Sequence, residues 1–265
     1  MKLPEVTSIR PIQMRYSTGE KPVLVECNDL HSYICKYLHS SFSAFKLVCE
    51  LSGALFAQAW ELKTPEVAFV KIRPADWLQR EPIDFSAPSF GSKKLMGVMD
   101  VTPASIVAIK KNENVKRQLL KIALFDLWVA NEDRNSNNAN LLYDLVENAL
   151  VAIDHGCILN TAEFDYSLSQ LTCNETILAS SLAHYLLDEE SHDNLNKLLR
   201  ELYGDYMVCV KRSLTQVDYV VRSIPGQWDV PKGVVEGKLK QLFEDGWIEE
   251  CWESFVDYLN ENGYV

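Results

Sequence analysis

The chain has 265 residues, enough for one large domain or two small lobes around a cleft, and its 47% apolar and 24% charged content is that of a soluble globular protein. With 26 basic against 37 acidic residues, the net charge of −11 argues against binding a nucleic-acid backbone. No apolar run approaches the roughly 18 residues that span a bilayer, and the opening MKLPEVTSIRP lacks the apolar core of a signal peptide. The seven cysteines form no C-x-x-C pair and several sit among apolar residues, which favours reduced, buried thiols in a cytoplasm.

In chain order, Val23–Val25 and Tyr33–Tyr37 read as strands flanking a turn at Cys27-Asn28-Asp29. Ser43–Leu62 carries a helical stripe of Phe45, Val48, Leu51, Leu55, Ala59 and Leu62, ended by Thr64-Pro65. Glu66–Ile72 is extended and β-branched, and the Pro-rich Arg73–Pro88 is expected to be a surface loop. Beyond about residue 100 the pattern turns helical. Asn114–Ala130 reads as a buried helix leading into NEDR, and further helices are expected at 174–187, 194–202, 206–224, 234–243 and 249–259, with Pro225 and Pro231 bracketing a break near Trp228. The layout expected is α+β: a small β-rich N-lobe, residues 1–100, followed by a larger helical C-lobe, residues 101–265.

The most informative stretch is NEDRNSNNAN at Asn131–Asn140, followed by IDHG at Ile153–Gly156. The apolar runs Leu141–Tyr143 and Ala149–Ile153 enclose Asp144–Asn148, whose Asp, Glu and Asn suit a turn. An antiparallel hairpin centred near Val146 puts Asp154 across from residues 138–140. Paired strands lie roughly 5 Å apart, so Asn138, Asn140 and Asp154 can converge on one ion. The spacing Asp133-x-x-x-x-Asn138 with a second Asp after a strand is how kinase-like folds assemble a phosphoryl-transfer centre. A Walker loop, a dinucleotide fingerprint, an H-E-x-x-H pair and a nucleophile elbow are all absent from the sequence.

These residues, together with STGEKPVLV at 17–25, YICKYL at 33–38, CEL at 49–51, TPEVAFVKI at 64–72 and FGSKKL at 90–95, resemble the HipA-like kinases, in particular the short stand-alone group. The chain is more distantly similar to phosphatidylinositol 3- and 4-kinases. The resemblance covers roughly residues 10–160 and implies a two-lobed, protein-kinase-like fold that uses ATP and Mg²⁺. It implies that Asp133 is catalytic, that Asn138 and Asp154 hold metal, and that Lys36 points into the cleft and contacts the nucleotide phosphates. Glu50 is then the ion-pair partner of Lys36. Helical geometry leaves that open, because Glu50 lies opposite the Val48–Leu55 stripe and could equally face solvent. Ser17, Thr18 and Gly19 stand where a phosphate-covering loop would lie, and Ser17 and Thr18 are candidate autophosphorylation sites. Arg134 is expected to steady the catalytic loop or meet a phosphate, Asp126 to bond loop amides, and His155 to orient its segment. Phe90-Gly91-Ser92 is expected to shape the adenine side.

The acceptor implied by the resemblance is a protein Ser or Thr. A lipid or small-molecule kinase and a non-catalytic binding protein are the alternatives, and the missing basic patch argues against a lipid surface. No nucleic-acid partner and no membrane span are expected.

Overall fold

The structure is a computed structural model and describes residues 2–17, 19–39, 43–77 and 85–265. The first region is a six-stranded sheet in the order β1-β5-β6-β4-β3-β2. Its strands are β1 (Glu5–Thr7), β2 (Met14–Arg15), β3 (Val23–Glu26), β4 (Ser32–Lys36), β5 (Val67–Lys71) and β6 (Ser89–Lys93). β1 runs parallel to β5, and the other pairings are antiparallel. Past β1 the chain leaves β5 for β3: Ser8 N donates to Lys71 O, whereas Ile9 N donates to Glu26 O, both at 3.0 Å. That crossing curls the sheet round an apolar interior of Val6, Val23, Val25, Cys35 and Val70. The start of the Pro-rich loop is not wholly at the surface. Asp76 is buried because it accepts from Ser8 Oγ at 2.6 Å and from Arg73, pinning the loop to the crossing.

The sheet's other side meets α1 (Ala44–Ala59), which is capped by Ser43 accepting from Phe45 N and is buried almost all round from Leu47 to Ala57. The chain then forms β7 (Val98–Asp100), α2 (Glu113–Trp128), β8 (Leu141–Asp144) and β9 (Ala149–Ala152). β7, β8 and β9 make a second, antiparallel sheet. The register pairs Leu141 with Ala152 and Asp144 with Ala149, and Ile153 N continues the ladder to Asn140 O at 3.1 Å. The expected hairpin therefore stands, with Asp154 coming across from Ala139.

After α3 (Ile158–Ala162), a single turn with left-handed dihedrals at Leu159, Asn160 and Thr161, the rest is helical. It comprises α4 (Ser181–Leu187), α5 (His192–Leu214), α6 (Val217–Ser223), α7 (Lys232–Gln241) and α8 (Asp245–Glu261). The two helices expected over 194–224 are instead divided at Thr215-Gln216, and α5 runs through Gly204. A Cβ there would meet nothing within 4 Å, so the glycine lies on an open face while the buried stripe of Leu195, Leu202 and Tyr206 continues past it. α2 packs on α8, and α1 packs on the α5 side, so one apolar core joins the two regions. The break near Trp228 is present: Gly226–Trp228 is a single 3-10 turn, and the buried indole donates to Pro88 O at 2.7 Å.

Candidate active site

The site is built where β4, α1 and the loop after β9 meet. Lys36 ends β4 and is only 8% exposed. Its Nζ lies 2.5 Å from Glu50 Oε1 and 2.7 Å from Asp154 Oδ1, and it also pairs with Glu20. Glu50 thus faces the cleft. Its second oxygen accepts from His155 N at 3.2 Å, so one carboxylate holds both the lysine and the turn after Asp154.

Two glycines permit this closeness. A Cβ on Gly53 would come within 2.4 Å of His155 Cβ, and one on Gly156 would be 2.8 Å from Glu50 Oε1. Asp154 has a left-handed backbone with φ of 58°, strain of the kind found where a residue is aimed by its surroundings. Glu20, Glu50 and Asp154 present carboxylate oxygens within 4.8 Å of one another, set against the Lys36 ammonium.

The electrostatics follow from burial. Glu50 is pushed up to about 8 by desolvation, against the pull of Lys36. Desolvation acts the same way on Asp154, but the charge of Lys36 and its hydrogen bond win and bring it down to about 2. Lys36 is raised well above its ordinary value: burial opposes its charge, and Glu50, Asp154 and Glu20 together overcome that. An ammonium and an ionised Asp154 therefore face each other at neutral pH.

The loop 131–140 is braced from beneath. Arg134 and Asp126 form an ion pair with both side chains at 0% exposure. Asp126 also accepts from Asn131 Nδ2 at 2.9 Å, and Arg134 donates to Ile153 O at 2.8 Å and to Asn140 O at 3.4 Å. Arg134 thus steadies the loop from inside. On the open side, Asp133 Oδ2 accepts from Asn140 Nδ2 at 2.9 Å and from Asn138 Nδ2 at 3.1 Å. Asn138 and Asn140 accordingly turn their amides to Asp133, while Asp154 turns to Lys36, and the hairpin holds the two groups side by side.

His155 is buried with both ring nitrogens unpartnered among the described residues. Burial holds its imidazole down at about 3, which keeps it neutral. It packs edge-on against Phe125 and on Gly53, so it fills space behind the site. Phe90-Gly91-Ser92 is a stretch of central strand between β4 and β5. Ser17 and Gly19 are exposed, and Thr18 lies outside the described residues. Among the described residues of this loop, Glu20 reaches Lys36, and the sequence did not single it out.

A profile of the HipA-like kinases matches residues 9–245. The chain belongs to the HipA-like kinases. No curated protein sequence matches it. Among solved structures this HipA-like kinase is similar to the crystal structure of a Helicobacter pylori proinflammatory kinase, CtkA, at 12% identity and a TM-score of 0.57, over 96% of this chain and 99% of that one. At that identity the likeness is one of fold: a sheet-rich N-terminal region followed by a helical region. Among the described residues of this HipA-like kinase, no helix is long and apolar enough to cross a membrane.

Proposed function

We propose that this HipA-like kinase transfers the γ-phosphoryl group of ATP, with Mg²⁺, to a serine or threonine hydroxyl of a protein in the cytoplasm. Residues 1–100 supply the phosphate-binding side and residues 101–265 the catalytic loop. The observation that carries the reading is the pairing of Lys36 with Glu50 and Asp154, beside a braced loop that presents Asp133.

In this reading Asp133 orients the acceptor hydroxyl and takes its proton. Its two amide donors, Asn138 and Asn140, hold one carboxylate oxygen still and leave the other for the hydroxyl. Lys36 binds phosphate oxygens and Glu50 keeps it aimed. Ser17, Thr18 and Gly19 belong to the loop that covers the phosphates. Asp154 and Asn138 fit Mg²⁺ by donor chemistry. Both offer hard oxygen, Asp154 is held ionised, and Asn138 commits its amide nitrogen to Asp133, which leaves its carbonyl oxygen to ligate. When bound, the ion would neutralise phosphate charge.

The test is transfer of labelled phosphate from ATP to protein, followed by phosphosite mapping in cells that express the wild type or Asp133→Ala. Sites on serine and threonine that depend on Asp133 are expected. Equal labelling by the variant overturns the assignment.

A further inference from the structure

The loop over the site ends on a residue of the wrong charge for a phosphate-binding loop. Glu20 directly follows Gly19, and its carboxylate enters the cleft and pairs with Lys36. Lys46, from the first turn of α1, approaches the same carboxylate at 3.5 Å. The backbone is set for this. Tyr16 N donates to Pro22 O at 2.9 Å and closes the loop, and Lys21 takes a left-handed φ of 49°. His39 Nε2 lies 3.4 Å from Glu20 O. Opposite, Gly156 leaves the room that the carboxylate uses, since a Cβ there would sit 3.1 Å from Glu20 Oε1.

Among the described residues, Lys36 therefore gathers three acidic side chains round one ammonium. Glu50 and Asp154 belong to the framework of the site, fixed by α1 and by the loop after β9. Glu20 comes from a surface loop whose neighbours Ser17 and Gly19 are exposed. Of the three, it is the one that can leave without unpacking the core.

We propose that Glu20 occupies the phosphate subsite as an internal stand-in for a nucleotide phosphate, and that its displacement from Lys36 sets the affinity of this kinase for phosphate-bearing ligands. The inference rests on the reading of Lys36 as the phosphate-binding lysine. A phosphate chain must take over Lys36 and Lys46 from Glu20, and while Glu20 is seated its charge repels the chain. Affinity measured for the whole protein is then the intrinsic affinity scaled by the fraction of molecules in which Glu20 has left Lys36.

The experiment is calorimetric titration of wild type, Glu20→Gln and Glu20→Ala with three probes: Mg-ATP, Mg-tripolyphosphate and adenosine. Both variants are expected to bind Mg-ATP and Mg-tripolyphosphate about tenfold more tightly than wild type, with adenosine affinity unchanged because adenosine carries no phosphate to compete with Glu20. Two variants guard against one that fails to fold, and an intact melting transition qualifies each. Equal or weaker Mg-ATP binding by a folded variant overturns the role of Glu20 while leaving the kinase reading in place. An equal gain for adenosine overturns the phosphate subsite as the place of competition. If no form, wild type included, binds Mg-ATP at millimolar concentration, the nucleotide reading falls and this inference with it.

Discussion

Lys36 and Asp154 are 118 residues apart in the chain and 2.7 Å apart in space. Their contact ties the curled sheet to the loop after β9, and Glu50 completes it from α1. Breaking a buried pair by removing one partner leaves the other charge without compensation, at a cost of about 3–5 kcal/mol. Lys36→Met is therefore expected to lower stability by about 3 kcal/mol and phosphate transfer by at least about a hundredfold. Urea unfolding at neutral pH and a transfer assay below the melting range check the two parts. An unchanged urea midpoint would mean that Glu20, Glu50 and Asp154 are not gathered on Lys36 in solution.

The parts of this site that were legible in the sequence are those fixed by local rules. Asp144–Asn148 is a turn by residue type, its position sets the register, and the register delivers Asp154 opposite Ala139. Glu50 was ambiguous because a helical stripe distinguishes faces only when one of them meets water, and α1 is buried on all of them. β6, SFGSK, lacks alternation since it lies between β4 and β5 and owes its place to them. Glu20 was invisible for a different reason. A glutamate beside a loop glycine is normally solvated, and only the approach of Lys36 and Lys46 makes it a ligand.

Gly91 tests the packing of that central strand. A Cβ there would come within 2.5 Å of Val70 Cγ2 and 3.3 Å of Tyr33 Cδ1, both inside the curled sheet. Gly91→Ala is expected to destabilise by about 1–3 kcal/mol, the cost of overpacking a filled core. A shift of the urea midpoint to lower concentration with an unchanged slope is the expected result. A rise in stability would show that the interior has slack.

The hairpin turn gives a pH prediction. Asp144 accepts from Lys63 Nζ at 2.7 Å and from the backbone N of Val146 and Glu147, each at 2.9 Å. Lys63 above all, then those amides, bring its carboxyl down to about 2. An unfolded aspartate titrates near 3.9. The folded state thus binds this proton less readily, so the contribution to stability is present above about pH 4 and is lost as pH falls through about 2. Asp144→Asn is expected to be less stable than wild type at pH 7, with the gap closing between about pH 4 and 2. Urea midpoints across that range check it, and a gap that stays constant would sink the assignment.

Arg134 offers the sharpest separation of loop order from chemistry. It is fully buried, makes no hydrogen bond to Lys36 or Asp133, and among the described residues spans three anchors: Asp126, Ile153 O and Asn140 O. Only the planar, forked guanidinium can meet all three at once; an ammonium is a single point of charge. Arg134→Lys keeps the counter-charge for Asp126 but loses the fork; Asn140 O keeps Ile153 N as a donor, so the loss falls on the half-buried Ile153 O, left unpaired at a cost of about 1–3 kcal/mol. Since Arg134 bridges Asn140, at the end of the loop that carries Asp133, and Ile153, which precedes Asp154, the two aspartates lose a brace on their separation. The expected outcome is a folded protein with modestly reduced urea resistance and a loss of transfer rate of about a hundredfold, because small misplacements of reacting groups carry that scale of penalty. Wild-type activity in a destabilised Arg134→Lys protein would mean that the ion pair serves the fold alone.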